Sequence, residues 1–141
     1  MADDRSDREQ IRDVLIQYAT GIDTQDWARF RTCFTPDVHA DYGAIGVWND
    51  VDGITEYMAT THRDMFSTKH MMSNIAIDQQ GDEASVVSYV HAVLAITEDP
   101  PMWVDAVGEY VDQFVRTAEG WRIRAREFHM TRVVMSDQAT P

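Results

Sequence analysis

The chain has 141 residues, the size of one domain able to bury roughly two thirds of its unfolded surface. Hydrophobic residues at 44% and charged residues at 26% exclude global disorder, and the single Cys33 excludes a disulfide scaffold or a multi-cysteine zinc site. A net charge of −12, from 24 acids against 12 bases, opposes nucleic-acid and anionic-membrane binding, so neither is expected as a partner.

Ser6-Asp-Arg-Glu9 fits a capping box, and Ile11, Val14, Leu15, Tyr18 and Ile22 follow at helical spacing. The pattern predicts a first helix over about 7–21, stopped by Gly21, and a second that starts at Asp23 to Asp26. That second helix would turn Trp27, Phe30 and Phe34 inward and end at Thr35-Pro36. Short strands broken by Gly43 and Gly46 lead to Trp48, after which Asp52 is expected to cap a third helix bearing Ile54, Tyr57, Met58, Thr61 and Met65.

Strand-like runs then occupy about 69–78, 83–98, 102–117 and 120–134, divided by Gln-Gly-Asp, Asp-Pro-Pro and Ala-Glu-Gly turn signals. Three of these are long enough to demand a strongly curved sheet. The expected fold is α+β, a cone-shaped barrel of three helices on a mostly antiparallel sheet, forming a single domain over 1–141. Its ordered core is expected over about 7–134, with a short polar tail at 136–141. Arg122, Arg124 and Arg126 alternate and read as one solvated or subunit-contacting face. The N-terminus is charged and no run is apolar enough for a signal core or membrane span, so a cytoplasmic location is expected.

The chemistry centres on His70. Strand alternation puts it on one face with Met72, Asn74 and Ala76, and Asp23, just past the first helix, can supply a carboxylate partner. Tyr18 lies on the apolar face of that helix, where its hydroxyl needs a partner or lines a cavity. Tyr42, Trp48, Tyr57, Met72 and Trp103 would fill the cone or line it for a flat hydrophobic ligand, and the segment from Thr97 to Trp103 could cover its mouth. Asn74 could support ligand or sheet. His91 shares a face with Val87, Tyr89 and Val93 and reads as packing, as does His129, while His39 and His62 sit at element ends and read as exposed. His39-Ala-Asp41 offers two ligands without a third, so no metal is expected, and the absence of a phosphate loop or serine elbow leaves no expected cofactor.

The segments from Asp7 through Tyr18, Gly21-Ile-Asp23-Thr-Gln-Asp-Trp27, Phe34-Thr-Pro-Asp37, His70-Met-Met-Ser-Asn74 and Gly120-Trp-Arg-Ile123 together resemble the SnoaL-like branch of the nuclear transport factor 2-like superfamily. That branch includes scytalone dehydratase, bile-acid 7-alpha-dehydratase and hexachlorocyclohexane dehydrochlorinase. The resemblance implies His70 as base, Asp23 as its partner and Tyr18 as an assisting hydroxyl, with His91 and Arg116 as counterparts of a second histidine and an arginine in some members. It implies a cofactor-independent lyase of dehydratase type acting on a hydrophobic cyclic small molecule, and self-association as a dimer or trimer. An isomerase or cyclase of the ketosteroid-isomerase type and a non-catalytic binding protein are the alternatives, because one fold hosts many functions.

Overall fold

The computed structural model describes residues 5–137; the last four residues of the expected polar tail, 138–141, lie outside them. Helix α1 (Asp7–Asp23) starts at the expected capping box, with the Glu9 N–H donating to Ser6 Oγ at 3.2 Å and the Ser6 N–H donating to Glu9 Oε2 at 2.8 Å. Ile11, Leu15, Tyr18 and Ile22 are its buried stripe. The helix does not stop at Gly21. A Cβ there would lie 2.9 Å from the backbone nitrogen of Phe30, so Gly21 serves close packing against α2 (Trp27–Arg31) rather than termination. The two further residues carry Asp23 to the helix end.

Helix α2 is shorter than expected, and Phe34, Thr35 and Pro36 open strand β1 (Phe34–Asp41). Pro36 falls where the ladder is irregular, between Phe34 and His39, a place where the missing N–H breaks no regular bond. After a short turn and β2 (Val47–Trp48), α3 (Val51–His62) begins. Its cap is Asp50, whose Oδ1 accepts the Gly53 N–H at 2.7 Å; Asp52 lies two residues further on, inside the first turn, and pairs with Arg31 at 2.6 Å.

Strands β3 (Ser67–Gln80), β4 (Glu83–Thr97), β5 (Met102–Thr117) and β6 (Gly120–Met135) follow close to the predicted ranges. They form one six-stranded sheet in the order β2-β1-β6-β5-β4-β3, antiparallel except for the β1–β6 pair. The three helices pack on it, which is the expected α+β architecture. Ser136, expected in the polar tail, is buried and bonds the Trp103 backbone in both directions at 3.0 Å.

Of the register shifts in the sheet, two bulges set which side chains face the helices near His70 and Arg126. On β3, Asn74 and Ile75 together oppose the single Ser88, and Asn74 adopts φ +49°. Thr68, His70 and Met72 therefore point inward before the bulge and Ile75 and Ile77 after it, which corrects the expectation that Asn74 and Ala76 share the face of His70. On β6, Arg124 has no partner across β5, so Trp121 and Ile123 face inward before it and Arg126 and Phe128 after it. Arg126 is thereby buried, not on the surface with Arg124.

Candidate active site

The cone encloses a cavity of about 260 Å³ walled by α1, α3 and the inner faces of β3 to β6. Its lining is almost wholly apolar, with Ile22, Met58, Met65, Val90, Leu94, Val104, Phe128 and Val133 among the contributors. The polar exceptions are Thr61, two histidines and four tyrosines.

His70 reaches the cavity from β3 and meets Asp23 at the end of α1. Its Nδ1 lies 2.7 Å from Asp23 Oδ1, its own backbone N–H donates to Oδ2 at 2.8 Å, and Thr68 Oγ1 donates to Oδ1 at 2.9 Å. Burial pushes the Asp23 carboxyl up, but these bonds outweigh it and hold the group below its ordinary value of 3.8, hence ionised. A carboxylate only accepts, so Nδ1 of His70 carries a proton, and in the neutral ring the lone pair is on Nε2.

A trio of phenols also lines the cavity. Tyr18 Oη is 2.9 Å from that of Tyr42 and 3.0 Å from that of Tyr110. Burial raises Tyr18 and Tyr110 far above the usual phenol value, so both stay protonated. Three O–H protons serve two mutual bonds, which leaves one O–H to donate outward. Behind the trio, Arg126 bonds Asp112 in a buried bidentate pair at 2.7 and 2.9 Å and donates to Tyr42 Oη at 3.3 Å. Its guanidinium stacks 3.7 Å from the Tyr110 ring centroid and 4.3 Å from that of Tyr18. Burial opposes the charge on Arg126, but Asp112 together with Tyr42 and Tyr18 more than offsets it.

Residues 3–127 match the SnoaL-like domain family. The chain belongs to that family. An uncharacterized protein of Mycobacterium tuberculosis is 32% identical over an alignment of 127 residues, which covers 86% of this chain and 83% of that protein. The structure of a candidate scytalone dehydratase from Novosphingobium aromaticivorans is 23% identical with a TM-score of 0.82, covering 90% of this chain and 85% of that one. A hexachlorocyclohexane dehydrochlorinase from Novosphingobium barchaimii is 14% identical with a TM-score of 0.80, covering 92% and 90%. At these identities they establish the fold alone, which is shared with an NTF2-like protein with a cystatin-like fold from Novosphingobium aromaticivorans, 20% identical with a TM-score of 0.79 over 89% of this chain and 82% of that one.

Within this SnoaL-like domain the remaining sequence candidates divide. Tyr42 and Tyr57 line the cavity; Trp48 stands behind them, its ring 4.7 Å from that of Tyr57 and 5.7 Å from that of Tyr42. Met72 packs against the core beside the cavity. His91 does not reach it: Val90 and Ala92 line the cavity, so the pleat turns His91 to the outer face, where it pairs with Asp105 at 3.0 Å. Arg116 lies over Trp121 and pairs with Asp7 and Asp82. His129 is exposed beside Glu127, Asn74 is exposed at its bulge, and no residue from Thr97 to Trp103 lines the cavity.

Three features at the cavity wall or behind it escaped the sequence reading. His62, expected to be exposed, is 93% buried and lines the cavity, its ring 6.0 Å from that of His70, because it continues the buried stripe of Ile54 and Met58 on α3. The spacing of four from Met58 was the available signal. Tyr110 and Asp112 share the alternating inner face of β5 with Phe114. Arg126 carried no such signal, because its face depends on the bulge at Arg124. Among the described residues, no three His, Cys, Asp or Glu side chains group as a metal site, and no helix is long and apolar enough to cross a membrane.

Proposed function

We propose that this SnoaL-like domain is a cofactor-independent lyase of dehydratase type that processes a hydrophobic cyclic small molecule. The observation that carries the reading is the Nδ1 contact of His70 with Asp23, which leaves a lone pair on Nε2 at the wall of an apolar cavity. His70 Nε2 takes a proton from carbon, the C–H electron pair becomes the new double bond, and the leaving oxygen departs with a proton as water. Asp23 sets the tautomer and stabilises the imidazolium. The outward O–H of the Tyr18, Tyr42 and Tyr110 trio suits donation to a carbonyl or to the departing oxygen, with the Arg126 charge favouring the anion that develops there.

The candidate scytalone dehydratase and the dehydrochlorinase among structures of this fold support elimination chemistry. The same phenol trio would hold an enolate oxygen, which favours a ketosteroid-isomerase-like proton shift as the second reading. A panel of cyclic β-hydroxy ketones tests the choice: loss of water with growth of enone absorbance supports the lyase, and solvent deuterium incorporation without loss of water supports the isomerase. If His70→Ala matches the wild type on a turned-over substrate, the base assignment fails. Self-association as a dimer or trimer belongs to the same reading, supported by Met71 and Tyr89 exposed on the outer face of β3 and β4.

A further inference from the structure

We propose that Ala92 and Ala106 decide which molecules the cavity accepts: they are the floor on which a flat system of two fused rings lies, with its reacting carbon at His70 and its far ring toward Val133. This rests on the reading that the cavity holds the substrate and that His70 is its base. The strand register carries the geometry. His70 on β3 is paired with Ala92 on β4, Ala92 with Ala106 on β5, and Ala106 with Val133 on β6, and all four line the cavity. They form one row across the sheet, three strand spacings or about 14 Å from end to end. A six-membered ring is about as wide as one such spacing, so two fused rings cover both alanines.

The row is low between higher walls. On one side stand Leu94 and Val104, also paired across β4 and β5, and on the other Val90; all three line the cavity. Alanine is depleted in strands, where stability comes from side chains packed across the pair. Two alanines opposite each other forgo the burial that Val86 and Phe114 provide further along the same inner face. The volume left unfilled is cavity, and Ala92 and Ala106 both keep part of their surface exposed. Ile22 of α1 and Met58 of α3 line it from the helix side, which leaves a slot suited to a planar face. The two ends of the row differ. The His70 side chain is nine-tenths buried, whereas Val133 and Met130 line the cavity and are exposed. The slot thus opens at the Val133 end, and a molecule that reaches His70 from there passes over both alanines.

The test uses the full chain and two probes, phenol and 2-naphthol, which share a hydroxyl and differ by the second ring. Wild-type protein is expected to bind 2-naphthol at least about tenfold more tightly, the gain for burying the added ring. Ala106→Leu, which fills the far half of the floor, is expected to cut that preference below about threefold while phenol binding changes less than about twofold. Ala92→Leu, beside His70, should weaken both probes. In the wild type the methyl proton resonances of Ala92 and Ala106 should both move upfield under the ring current of 2-naphthol, a readout that needs no variant to fold. Methyls that stay still at saturation, a preference that survives Ala106→Leu, or no binding of 2-naphthol up to its solubility limit overturns the proposal. Failure of the lyase reading looks different: His70→Ala would then keep turnover, whatever the alanine methyls do.

Discussion

Asp23 holds His70 at two points, taking the imidazole Nδ1–H on one carboxylate oxygen at 2.7 Å and the backbone N–H of the same residue on the other at 2.8 Å. The ring and the strand that carries it are thus tied to the end of α1 by one side chain. Any change at Asp23 alters both the tautomer of His70 and the seating of β3.

Asp23→Asn keeps the shape and removes the charge. Turnover is expected to fall by about 10²–10⁴, because the imidazolium loses its counter-charge and the tautomer its anchor. Steady-state kinetics on a turned-over ketone, with circular dichroism to verify folding, measures it.

Stability should decline in two acid steps. His62 has a folded pKa below its ordinary 6.5, so its contribution is present above about pH 6.5 and is lost as pH falls through the folded value. Asp23 and Asp7 are likewise held below 3.8, Asp7 mainly by bonds from Arg116, Gln79 and Trp121, so theirs is present above about pH 4 and disappears at lower pH. Melting temperatures from pH 8 to 3 should show both, and His62→Phe should remove the first.

Arg126→Met strands Asp112 in a dry core. The expected loss is about 3–5 kcal/mol, and Arg126→Met combined with Asp112→Leu should recover most of it, since the stranded charge is the larger penalty. Urea unfolding of the two variants decides the point; equal losses would mean that the pair itself is the stabilising element.

The bulge on β3 can be tested at Asn74, whose φ of +49° lies in the left-handed region. Asn74→Val should cost about 1–2 kcal/mol, whereas Asn74→Gly should change stability by less than about 0.5 kcal/mol. A neutral valine would mean that the strand had slipped its register.

Burial pushes the Cys33 thiol up to about 12. The native protein should therefore resist a thiol-directed disulfide reagent at pH 8 and react stoichiometrically in 6 M guanidinium. Rapid native labelling would place Cys33 in a segment that opens readily.

Much of the fold was legible because its signals are local. Apolar spacing along α1, turn dipeptides between the long strands and the capping box at Ser6 are properties of neighbouring residues, and the structure follows them within a few positions. The errors came where a distant contact overruled a local rule. Gly21 reads as a stop until α2 packs on it, and Pro36 reads as a helix end until β6 draws the chain into a strand.

From the sequence alone came the α+β cone, the strand position of His70 and the helix-end position of Asp23. Whether those two side chains meet is a matter of tertiary geometry, and so is everything that surrounds them. Only the folded chain decided that Arg126 turns inward under Tyr18 and Tyr110, that His62 joins His70 at the cavity wall and that His91 and Arg116 stay outside. The physical reason is the two-residue period of a strand: one unpaired residue, Asn74 or Arg124, reverses the side chains beyond it as far as the next bulge, and where that residue falls is set by the partner strand.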